Sequence, residues 1–512
     1  MLKKILKSID NFLNRTTMYR LVLYYLFFLI GVAIVLGLFD LVSVKPLALL
    51  LSTAFLLAAC WVLNKIFSYF FGAPANTESM YISALILALI ITPDQPIRTL
   101  MFLSWASVFA MASKYIITIK RKHIFNPAAF AVVLTAITIG YFASWWVATP
   151  IMAPFIILGG VLLVRKIRRT DLVLSYFTVS FITIFSYYLY KNGFGDLPNQ
   201  VSKVVFDSPM LFFGFVMLTE PLTTPPTKGL RILYGALTGF VFAPQIHIGG
   251  IYSTPESALL VGNLFSYLVS PKQKLMLKLE TKIDIAKNTE NFIFKTEEKL
   301  DFKPGQYLEW TLPLEKPDTR GNRRYFTIAS SPTESDISVG VKFYDKPSSF
   351  KETMSEMKTG DSIVVSQLAG DFTMPKDKNK KLAFIAGGIG ITPFRSMVKY
   401  LLDTNEKRDI VLFYSNNSAG DIAYSEIFEK AEKQLGIKTI YTLTDKNIPT
   451  PTGWPGKTGF VNEKMIKEAA PDWRDRIFYI SGPNVMVDVF KKLLKDMGLK
   501  SSQIVTDYFP GY

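Results

Sequence analysis

A glycine cluster in the second half of the chain has the composition of a phosphate-binding turn. The sequence GGIGITP covers residues 387–393 and directly follows the apolar run KLAFIA at 381–386. Its glycines leave room for a pyrophosphate to approach the backbone, its threonine can cap the following helix, and its proline suits the first helical turn. These residues are Gly387, Gly388, Gly390, Thr392 and Pro393. Strand, glycine turn and capped helix together predict a dinucleotide phosphate site, and the alternative is a tight turn without a ligand.

The elements that must position this turn form a repeating pattern of strand and helix. Further apolar runs, DIVLFYS, KTIYTLT and RIFYIS, start at residues 409, 438 and 476 and alternate with helical segments. This alternation predicts a parallel sheet with crossover helices, which is an α/β dinucleotide-binding fold. Residues 274–375 instead read as short strands with turns such as KPGQY and KTGDS, which predicts a small antiparallel β-barrel.

Composition divides the chain of 512 residues into two halves. Residues 20–271 are a series of long apolar runs, whereas the remainder has ordinary globular composition. We therefore expect three domains: a helical membrane domain at 1–271, the barrel at 272–376 and the α/β domain at 377–512.

Charge and cysteine content exclude several classes of protein. The net charge of +16 does not indicate nucleic-acid binding, because many basic residues lie in short loops between apolar runs. The single cysteine, Cys60, provides neither a disulfide framework nor a cysteine-ligated iron–sulfur cluster within this chain. We expect Cys60 to be a small buried hydrophobic residue, and we expect no metal site.

The first half predicts about ten transmembrane helices. A helix of about 20 apolar residues crosses a hydrocarbon layer about 30 Å thick. Candidate spans lie near residues 20–42, 47–70, 79–93, 99–118, 127–147, 150–164, 171–190, 208–220, 230–247 and 255–270. An even number of spans returns both termini to the same side of the lipid bilayer.

Basic residues between these spans indicate the orientation. With the N-terminus inside, the inner loops contain ten lysines and arginines and the outer loops contain four. Since positively charged loops stay in the cytoplasm, we expect a multi-pass protein of the cytoplasmic membrane with both termini inside. The basic segment 1–15 then reads as a retained cytoplasmic tail rather than a signal peptide.

Two candidate spans are short and end alike. SALILALIITPDQP (83–96) and FFGFVMLTEPLTTPP (212–226) each run into threonines, an acidic residue and prolines, which stop a helix. Each is third in a set of five spans, which suggests an inverted repeat with broken helices lining a site. The alternative is a pair of ordinary proline-terminated helix ends.

Polar groups at these helix ends suit a flavin ring or its ribityl chain. Asn126 and the threonines that include Thr219 and Thr223 can donate or accept hydrogen bonds, although capping of the broken helices would explain them equally. Glu220 is costly in a membrane unless it has a partner, which favours a functional role. His123 follows a basic cluster and could instead contact lipid headgroups.

The motifs KHIFNPAAFAVV (122–133), TEPLTTPPTKGLRILYG (219–235) and NLFSYL (263–268) resemble the NqrB/RnfD family of membrane flavoprotein subunits. The resemblance covers most of residues 40–271 and implies a ten-helix fold that carries flavin in the membrane. Members that attach FMN covalently use a Ser/Thr-Gly-Ala-Thr motif, which this sequence lacks. We therefore expect one or two non-covalent FMN or riboflavin molecules.

Five motifs in the second half resemble, in this order, the ferredoxin-NADP reductase superfamily. They are RRYFTIASSP (323–332), QLAGDF (367–372), AGGIGITP (386–393), YISGPNVM (479–486) and the terminal DYFPGY. The resemblance covers nearly all of residues 272–512 and implies a reductase that uses FAD and NADH or NADPH.

The resemblance assigns flavin contacts to the first motif. Arg324 should bind the FAD pyrophosphate, Phe326 should face the isoalloxazine in place of the usual tyrosine, and the Thr327 hydroxyl should approach flavin N5. Tyr325 belongs to the same expected site. The stretch that normally holds the rest of the pyrophosphate contains Ser348, Ser349 and Phe350.

The resemblance also assigns the nicotinamide side. The expected contacts are Ser481, Gly482, Pro483 and Met486, with Ser481 where the family often has cysteine. Phe509 and Tyr512 resemble the terminal aromatics that cover the flavin, although ordinary packing would explain them too. Thr327, Ser481 and Tyr512 are thus the expected catalytic residues. No arginine accompanies Asn416 and Asn417 after the second strand, which favours NADH over NADPH.

The two resemblances together imply an NAD(P)H dehydrogenase. Electrons would pass from cytoplasmic NAD(P)H through FAD to flavin in the membrane, and then to a quinone or an acceptor on the outer side. A two-haem reductase would need more histidines than His123 and His247. Two alternatives stay open: a transporter with a fused reductase, and a membrane-anchored NAD(P)H:quinone reductase without transmembrane electron transfer.

Overall fold

The chain forms two compact units, Met1–Gln273 and Lys274–Tyr512. The computed structural model describes Ile9, Leu13 and residues 16–71, 77–93, 96–119, 122–270, 275–298, 300–314, 318, 321–445 and 447–507. The terminal aromatics Phe509 and Tyr512 lie outside these residues.

The described part of the first unit is helical apart from loops and two short hairpins. Its helices are α1 (Met18–Leu38), α2 (Pro46–Phe70), α3 (Thr77–Ile90), α4 (Pro96–Tyr115), α5 (Pro127–Ile139), α6 (Ala153–Ile167), α7 (Thr170–Asn192), α8 (Leu197–Phe206), α9 (Met210–Phe212), α10 (Lys228–Phe242) and α11 (Pro255–Val269). A π-helical turn, Phe213–Met217, continues α9. The hairpins pair β1 (Thr118–Ile119) with β2 (Lys122–His123) and β3 (His247–Ile248) with β4 (Ile251–Tyr252).

A helix overlaps each of the ten predicted spans, but most of these helices are shorter than predicted. Among the described helices, three (α1, α2 and α7) are long and apolar enough to cross a membrane alone. Helices α3 and α5 are apolar but shorter. The amphipathic α8 lies between two predicted spans and was not expected from the sequence.

Helix α5 illustrates why the spans were predicted too long. Asn126 caps its N-terminus, with Oδ1 accepting the N–H of Ala129 at 3.1 Å, and Pro127 occupies its first turn. The helix ends at Ile139 because Gly140 adopts the left-handed conformation, with φ +70°. The apolar residues after Gly140, which the predicted span 127–147 included, form a loop.

This loop completes the end of α3. The carbonyl of Ile90 accepts the N–H of Ser144 at 2.9 Å and of Trp145 at 3.0 Å, and the Trp146 indole donates to the carbonyl of Ala88 at 2.9 Å. The last carbonyls of this short apolar helix therefore find hydrogen-bond partners in another segment of the chain.

Helices α7 and α10 approach each other at backbone distance. A Cβ on Gly235 would lie 2.5 Å from the carbonyl oxygen of Leu172, and one on Gly239 would lie 2.6 Å from that of Tyr176. The spacing is that of a GxxxG motif, in which small residues let two membrane helices touch. Ser180 Oγ adds a hydrogen bond of 3.1 Å to the Gly239 carbonyl.

The second unit begins with an antiparallel sheet, as predicted. Its strands are β5 (Leu275–Ala286), β6 (Thr289–Lys295), β7 (Tyr307–Thr311), β8 (Arg323–Thr327), β9 (Ile337–Lys342) and β10 (Ser362–Ala369), in the order β8-β7-β10-β5-β6-β9. Inward side chains such as Leu277, Phe292 and Trp310 form one core. Helix α12 (Ser349–Glu356) buries Phe350 and Met354 in that core.

A six-stranded parallel sheet follows, and it confirms the predicted α/β domain. Its strands are β11 (Leu382–Gly387), β12 (Ile410–Asn416), β13 (Lys438–Leu443), β14 (Lys457–Thr458), β15 (Ile477–Ser481) and β16 (Ile504–Asp507), in the order β14-β13-β12-β11-β15-β16. Helices α13 (Thr392–Asp403) and α14 (Ser425–Leu435) cover one face. Helices α15 (Glu463–Ala469) and α16 (Asn484–Asp496) cover the other.

Candidate cofactor sites

The glycine turn lies at the point where the strand order of the parallel sheet reverses. From β11 the chain first runs outward through β12 and β13, and it then returns to place β15 on the other side of β11. Ala386 pairs with Ser481 at the carboxyl ends of these two neighbours. The crevice outside such strand ends is where open α/β sheets bind their ligands.

The three glycines of the turn have different surroundings. A Cβ on Gly390 would lie 2.5 Å from the Ser481 carbonyl oxygen, and one on Gly387 would lie 2.3 Å from the sulfur of Met486. Protein packing therefore requires the glycine at position 390, where the neighbour is backbone, whereas at position 387 the neighbour is the flexible end of a side chain. Gly388 has φ +52° and faces open space, so it alone among the three has the room that a ligand phosphate needs.

The predicted cap at Thr392 takes a different form. A 3₁₀ turn over Gly388–Ile391 leads into α13, and Thr392 is the first residue of the helix rather than its N-cap. Its hydroxyl donates to the carbonyl of Ile389 at 3.2 Å and so closes the turn. Pro393 lies in the first helical turn, as expected.

Ser481 has a buried polar side-chain atom at the end of strand β15. It is fully buried at the end of β15, and its hydroxyl has no hydrogen-bond partner among the described residues. Gly482 and Pro483 follow it and lead into α16, whose first turn contains Met486. A buried hydroxyl without a protein partner fits a site that a ligand completes.

Strand β8, which carries the predicted flavin contacts, places its side chains on alternating faces of the sheet. Arg324 and Phe326 pair with Trp310 and Leu308 of the barrel core, whereas Thr327 lies on the opposite face. Thr327 is buried, and its hydroxyl lacks a partner in the part of the chain that the structure describes. A ring that contacts both Phe326 and Thr327 must lie at the edge of the strand, and β8 is the last strand in its sheet order.

The residues expected at the pyrophosphate come together around α12. The Arg324 guanidinium carbon lies 5.1 Å from the centre of the Phe350 ring, and its Nη1 donates to the carbonyl of Gly321 at 3.2 Å. Ser348 Oγ caps the helix by accepting the N–H of Lys351 at 3.3 Å. Ser349 Oγ accepts the N–H of Asp318 at 3.0 Å. A guanidinium beside a helix N-terminus suits a pyrophosphate, since both favour negative charge.

The buried carboxylate of Glu309, next to strand β8, was not anticipated from the sequence. Glu309 of β7 accepts the Tyr325 hydroxyl at 2.7 Å and the Gln367 side-chain amide at 3.3 Å. Arg323 lies 3.6 Å from its other oxygen. The one available signal was an acidic residue inside the apolar strand YLEWT. Tyr325 therefore binds a carboxylate on the same face of the sheet as Thr327.

In the helical unit the structure brings Asn126, Glu220, His123 and Thr223 together. Asn126 Nδ2 donates to Glu220 at 2.9 Å, and His123 Nε2 lies 3.6 Å from the other carboxylate oxygen. Thr223 Oγ1 lies 3.3 Å from the first oxygen. Thr219 turns back instead, with its hydroxyl donating to the carbonyl of Phe215 at 2.9 Å.

A second asparagine, Asn263 of α11, extends this cluster. Its Oδ1 accepts the backbone N–H of Asn126 at 2.7 Å, and its Nδ2 donates to the Tyr234 hydroxyl at 3.0 Å. The network therefore joins α5, the segment after the π-helical turn, α10 and α11. The oxygen of Asn126 caps α5, which was one of the two roles predicted for it, and its amide binds Glu220. Its predicted flavin contact stays a prediction.

Two protein families match the second unit. The oxidoreductase FAD-binding domain matches residues 276–374, and the oxidoreductase NAD-binding domain matches residues 384–492. The second half of this chain is an FAD- and NAD-binding domain of the ferredoxin-NADP reductase type. Such a reductase domain indicates an NAD(P)H-dependent flavin oxidoreductase.

Individual relatives are similar to the same reductase domain. The glycine betaine monooxygenase reductase subunit of Pseudomonas aeruginosa is 29% identical over 41% of this chain and 56% of its own length. NADH-cytochrome b5 reductase 1 of Mortierella alpina is 28% identical over 45% of this chain and 77% of its own length. This chain thus spans little more than half the length of the first of these relatives.

Among solved structures, the cytochrome P450 reductase GcoB of Amycolatopsis aligns with 47% of this chain and 70% of its own. The identity is 22% and the TM-score is 0.42, which is too weak a likeness to carry an argument. The resemblance of the helical unit to the NqrB/RnfD family stays a prediction.

Proposed function

We propose that this protein is a membrane flavoprotein NAD(P)H dehydrogenase. Its reductase domain would oxidise NAD(P)H on the cytoplasmic side, and its helical unit would carry the electrons through one or two non-covalent FMN or riboflavin molecules. The final acceptor would be a membrane quinone or an acceptor on the outer side. FAD, when bound, accepts a hydride from NAD(P)H and can release the two electrons singly.

The observation that carries this proposal is the combination of two sites in one chain. A reductase domain whose buried Thr327 and Ser481 hydroxyls have no partner among the described residues is joined to an apolar helical unit that contains a largely buried amide–carboxylate network. Buried polar networks in apolar helical proteins are costly, and they mark functional positions by default.

The residues of the reductase domain fit its two ligands. Arg324 and the start of α12 would bind the FAD pyrophosphate, Phe326 would contact the ring at the strand edge, and Thr327 would donate to flavin N5. On the nucleotide side, Gly388 would admit the phosphates to the N-terminal end of α13, while Ser481 would orient the nicotinamide.

In the helical unit, the carboxylate of Glu220 would accept a hydrogen bond from a ring or ribityl group, with Asn126 and His123 fixing its position. Thr223 would add a hydroxyl to the same site. The multi-pass topology with both termini in the cytoplasm, which places this cluster near the inner surface, is part of the proposal and rests on the distribution of lysine and arginine.

The test is the identity and number of flavins in detergent-purified protein. Acid extraction followed by chromatography should release FAD and, per chain, about one or two equivalents of FMN or riboflavin, with no flavin left on the precipitated protein. NADH or NADPH should reduce both kinds of flavin in stopped-flow absorbance. FAD alone in active protein would contradict the relay.

A second candidate is a membrane-anchored NAD(P)H:quinone reductase, which the helix lengths favour. Since three of the described helices are long and apolar enough to span a membrane alone, the helical unit could serve mainly as an anchor. This candidate predicts FAD as the single flavin and quinone reduction from the cytoplasmic side. Reduction of an impermeant acceptor on the outer side of sealed vesicles would exclude it.

A further inference from the structure

The segment that follows strand β8 is hydrogen-bonded directly to helix α13, which follows the glycine turn. After Thr327, residues 328–336 cross to β9, and the carbonyl of Ala329 accepts Arg395 Nη1 of α13 at 3.0 Å. The same guanidinium forms a two-pronged ion pair with Glu334, in which Nη2 donates to Oε1 at 2.9 Å and Nη1 donates to Oε2. A planar guanidinium that binds a carboxylate through two nitrogens holds its orientation as well as its distance.

Two further contacts lie beside this ion pair. The fully buried Ser396 donates its hydroxyl to the carbonyl of Ser330 at 2.7 Å. Tyr424 at the start of α14 donates to the side-chain oxygen of Asn291 in β6 at 2.9 Å, and its ring lies 5.7 Å from the Arg395 guanidinium carbon. Each contact joins the barrel to the α/β domain.

Glycine again allows the close approach. A Cβ on Gly340 of β9 would lie 2.6 Å from the Tyr424 hydroxyl and 3.0 Å from Cγ2 of Thr392. The barrel backbone therefore rests directly against the first turn of α13. These contacts hold the barrel and the α/β domain at a set distance from each other. They lie where the segment after Thr327 meets the helix that follows the nucleotide turn.

We propose that Arg395 is a positioning residue which, through Glu334 and the Ala329 carbonyl, sets the distance between the nicotinamide and the flavin. This inference rests on the proposed reductase function. Hydride transfer requires reacting atoms about 3–3.5 Å apart, and a misplacement of about 1 Å can slow a reaction on the order of 100-fold. Arg395 touches neither ligand site, so its loss should affect the transfer step and leave the binding of FAD and of the nucleotide unchanged.

The experiment compares Arg395→Lys and Glu334→Gln with wild type in the full chain purified in detergent. FAD reduction after rapid mixing with NADH should slow by about 10- to 100-fold at saturation, while FAD content and the apparent Kd for NADH change less than about twofold. The deuterium isotope effect should also become more dependent on temperature, because the donor–acceptor distance is no longer held. Ser396→Ala is the milder variant, and it should shift the rate in the same direction if Arg395→Lys loses FAD.

The matched control is Arg476→Lys. Arg476 is equally buried and also binds a carboxylate through two nitrogens, but its partners Asp472 and Asp409 both belong to the α/β domain. FAD reduction should stay near the wild-type rate in this variant. Equal slowing in Arg476→Lys, or a wild-type rate in Arg395→Lys and Ser396→Ala, would overturn the positioning role alone. A wild-type protein that neither NADH nor NADPH reduces would overturn the proposed function, and the positioning role with it.

Discussion

The side-chain amide of Asn126 donates a hydrogen bond of 2.9 Å to the carboxylate of Glu220, although 94 residues separate them in sequence. Asn126 is also held by Asn263 of the last helix in the unit. The first and second halves of the helical unit are therefore joined at one buried polar cluster.

This cluster gives the first prediction. Glu220→Gln preserves the shape of the side chain and removes its charge, so a flavin bound there should be held more weakly by about 10- to 100-fold, the value of a hydrogen bond to a charged group. Extraction should then yield less FMN or riboflavin and the same FAD. Glu256→Gln is the control, because Glu256 is buried in the same unit but binds Trp145 at 2.6 Å. Equal flavin contents in wild type and Glu220→Gln would contradict a flavin site at Glu220.

The second prediction concerns the FAD pyrophosphate. Arg324→Ala removes the guanidinium beside α12 and should lower FAD affinity by about 10- to 100-fold, since a charge-assisted contact is lost. The measurement is FAD retained after gel filtration, together with activity restored by added FAD. Arg323→Ala changes the adjacent arginine on the opposite face of β8 and should retain its FAD. Full occupancy in both variants would disprove the assigned role of Arg324.

The unpartnered hydroxyls give a third prediction that separates function from stability. In Ser481→Ala and Thr327→Val no hydrogen bond between described residues is lost, so the free energy of unfolding should change by less than about 1 kcal/mol. The rate of FAD reduction by NADH should nevertheless fall by about 10- to 100-fold, because the proposed function places both hydroxyls against the reacting groups. Thermal unfolding and stopped-flow absorbance measure the two effects. A large loss of stability with an unchanged rate would make these hydroxyls structural.

A fourth prediction compares two glycines of the nucleotide turn. Gly390→Ala forces a Cβ to within 2.5 Å of the Ser481 carbonyl oxygen and should cost about 1–3 kcal/mol of stability through displacement of the backbone. Gly388→Ala enters open space and costs only about 1–2 kcal/mol for the left-handed conformation. It should mainly weaken nucleotide binding. NADH titration should therefore show the larger loss of affinity in Gly388→Ala, and thermal unfolding should show that Gly390→Ala is destabilised at least as much as Gly388→Ala.

The fifth prediction concerns acid stability. Burial acts to raise the pKa of Asp472, but hydrogen bonds from Arg476 and Lys381 outweigh it and lower the pKa to about 2. An unfolded aspartate titrates near about 3.9, so the folded state gains stability above that pH and loses it as pH falls from about 4 to 2. Asp472→Asn should lower Tm at pH 7, and the difference from wild type should shrink below pH 4. A difference that does not depend on pH would contradict this linkage.

The second unit could be predicted from its sequence in detail. Strands β11, β12, β13 and β15 follow from apolar runs bounded by polar turns, and their observed ends differ from the predicted ones by about one residue. The short strands β14 and β16 were missed because Lys457–Thr458 and Ile504–Asp507 are too short to show a pattern. The contacts of individual side chains depend on strand alternation and on packing across the sheet. The sequence does not show that Gly390 is required because a Cβ there would meet the Ser481 carbonyl oxygen.

The helical unit was less predictable. Hydropathy located its helices but not their ends, because a left-handed glycine such as Gly140 stops a helix inside an apolar run. The sequence predicted that Glu220 needs a partner but did not identify Asn126 as that partner. The hydrogen bonds of Asn263 to Asn126 and Tyr234 depend on how three segments fold together, and no local sequence pattern predicts this.

The glycine contact between α7 and α10 bears on how the protein is made. Helix α7, with 23 residues, is long and apolar enough to enter a bilayer by itself, whereas α10 has 15 residues. Because Gly235 and Gly239 lie against the backbone of α7, the longer helix α7 provides a surface on which the shorter helix α10 can pack. During synthesis α7 emerges from the ribosome first. Bulky substitutions at these glycines would therefore appear as failed biogenesis, with little folded protein recovered, before any change in catalysis could be measured.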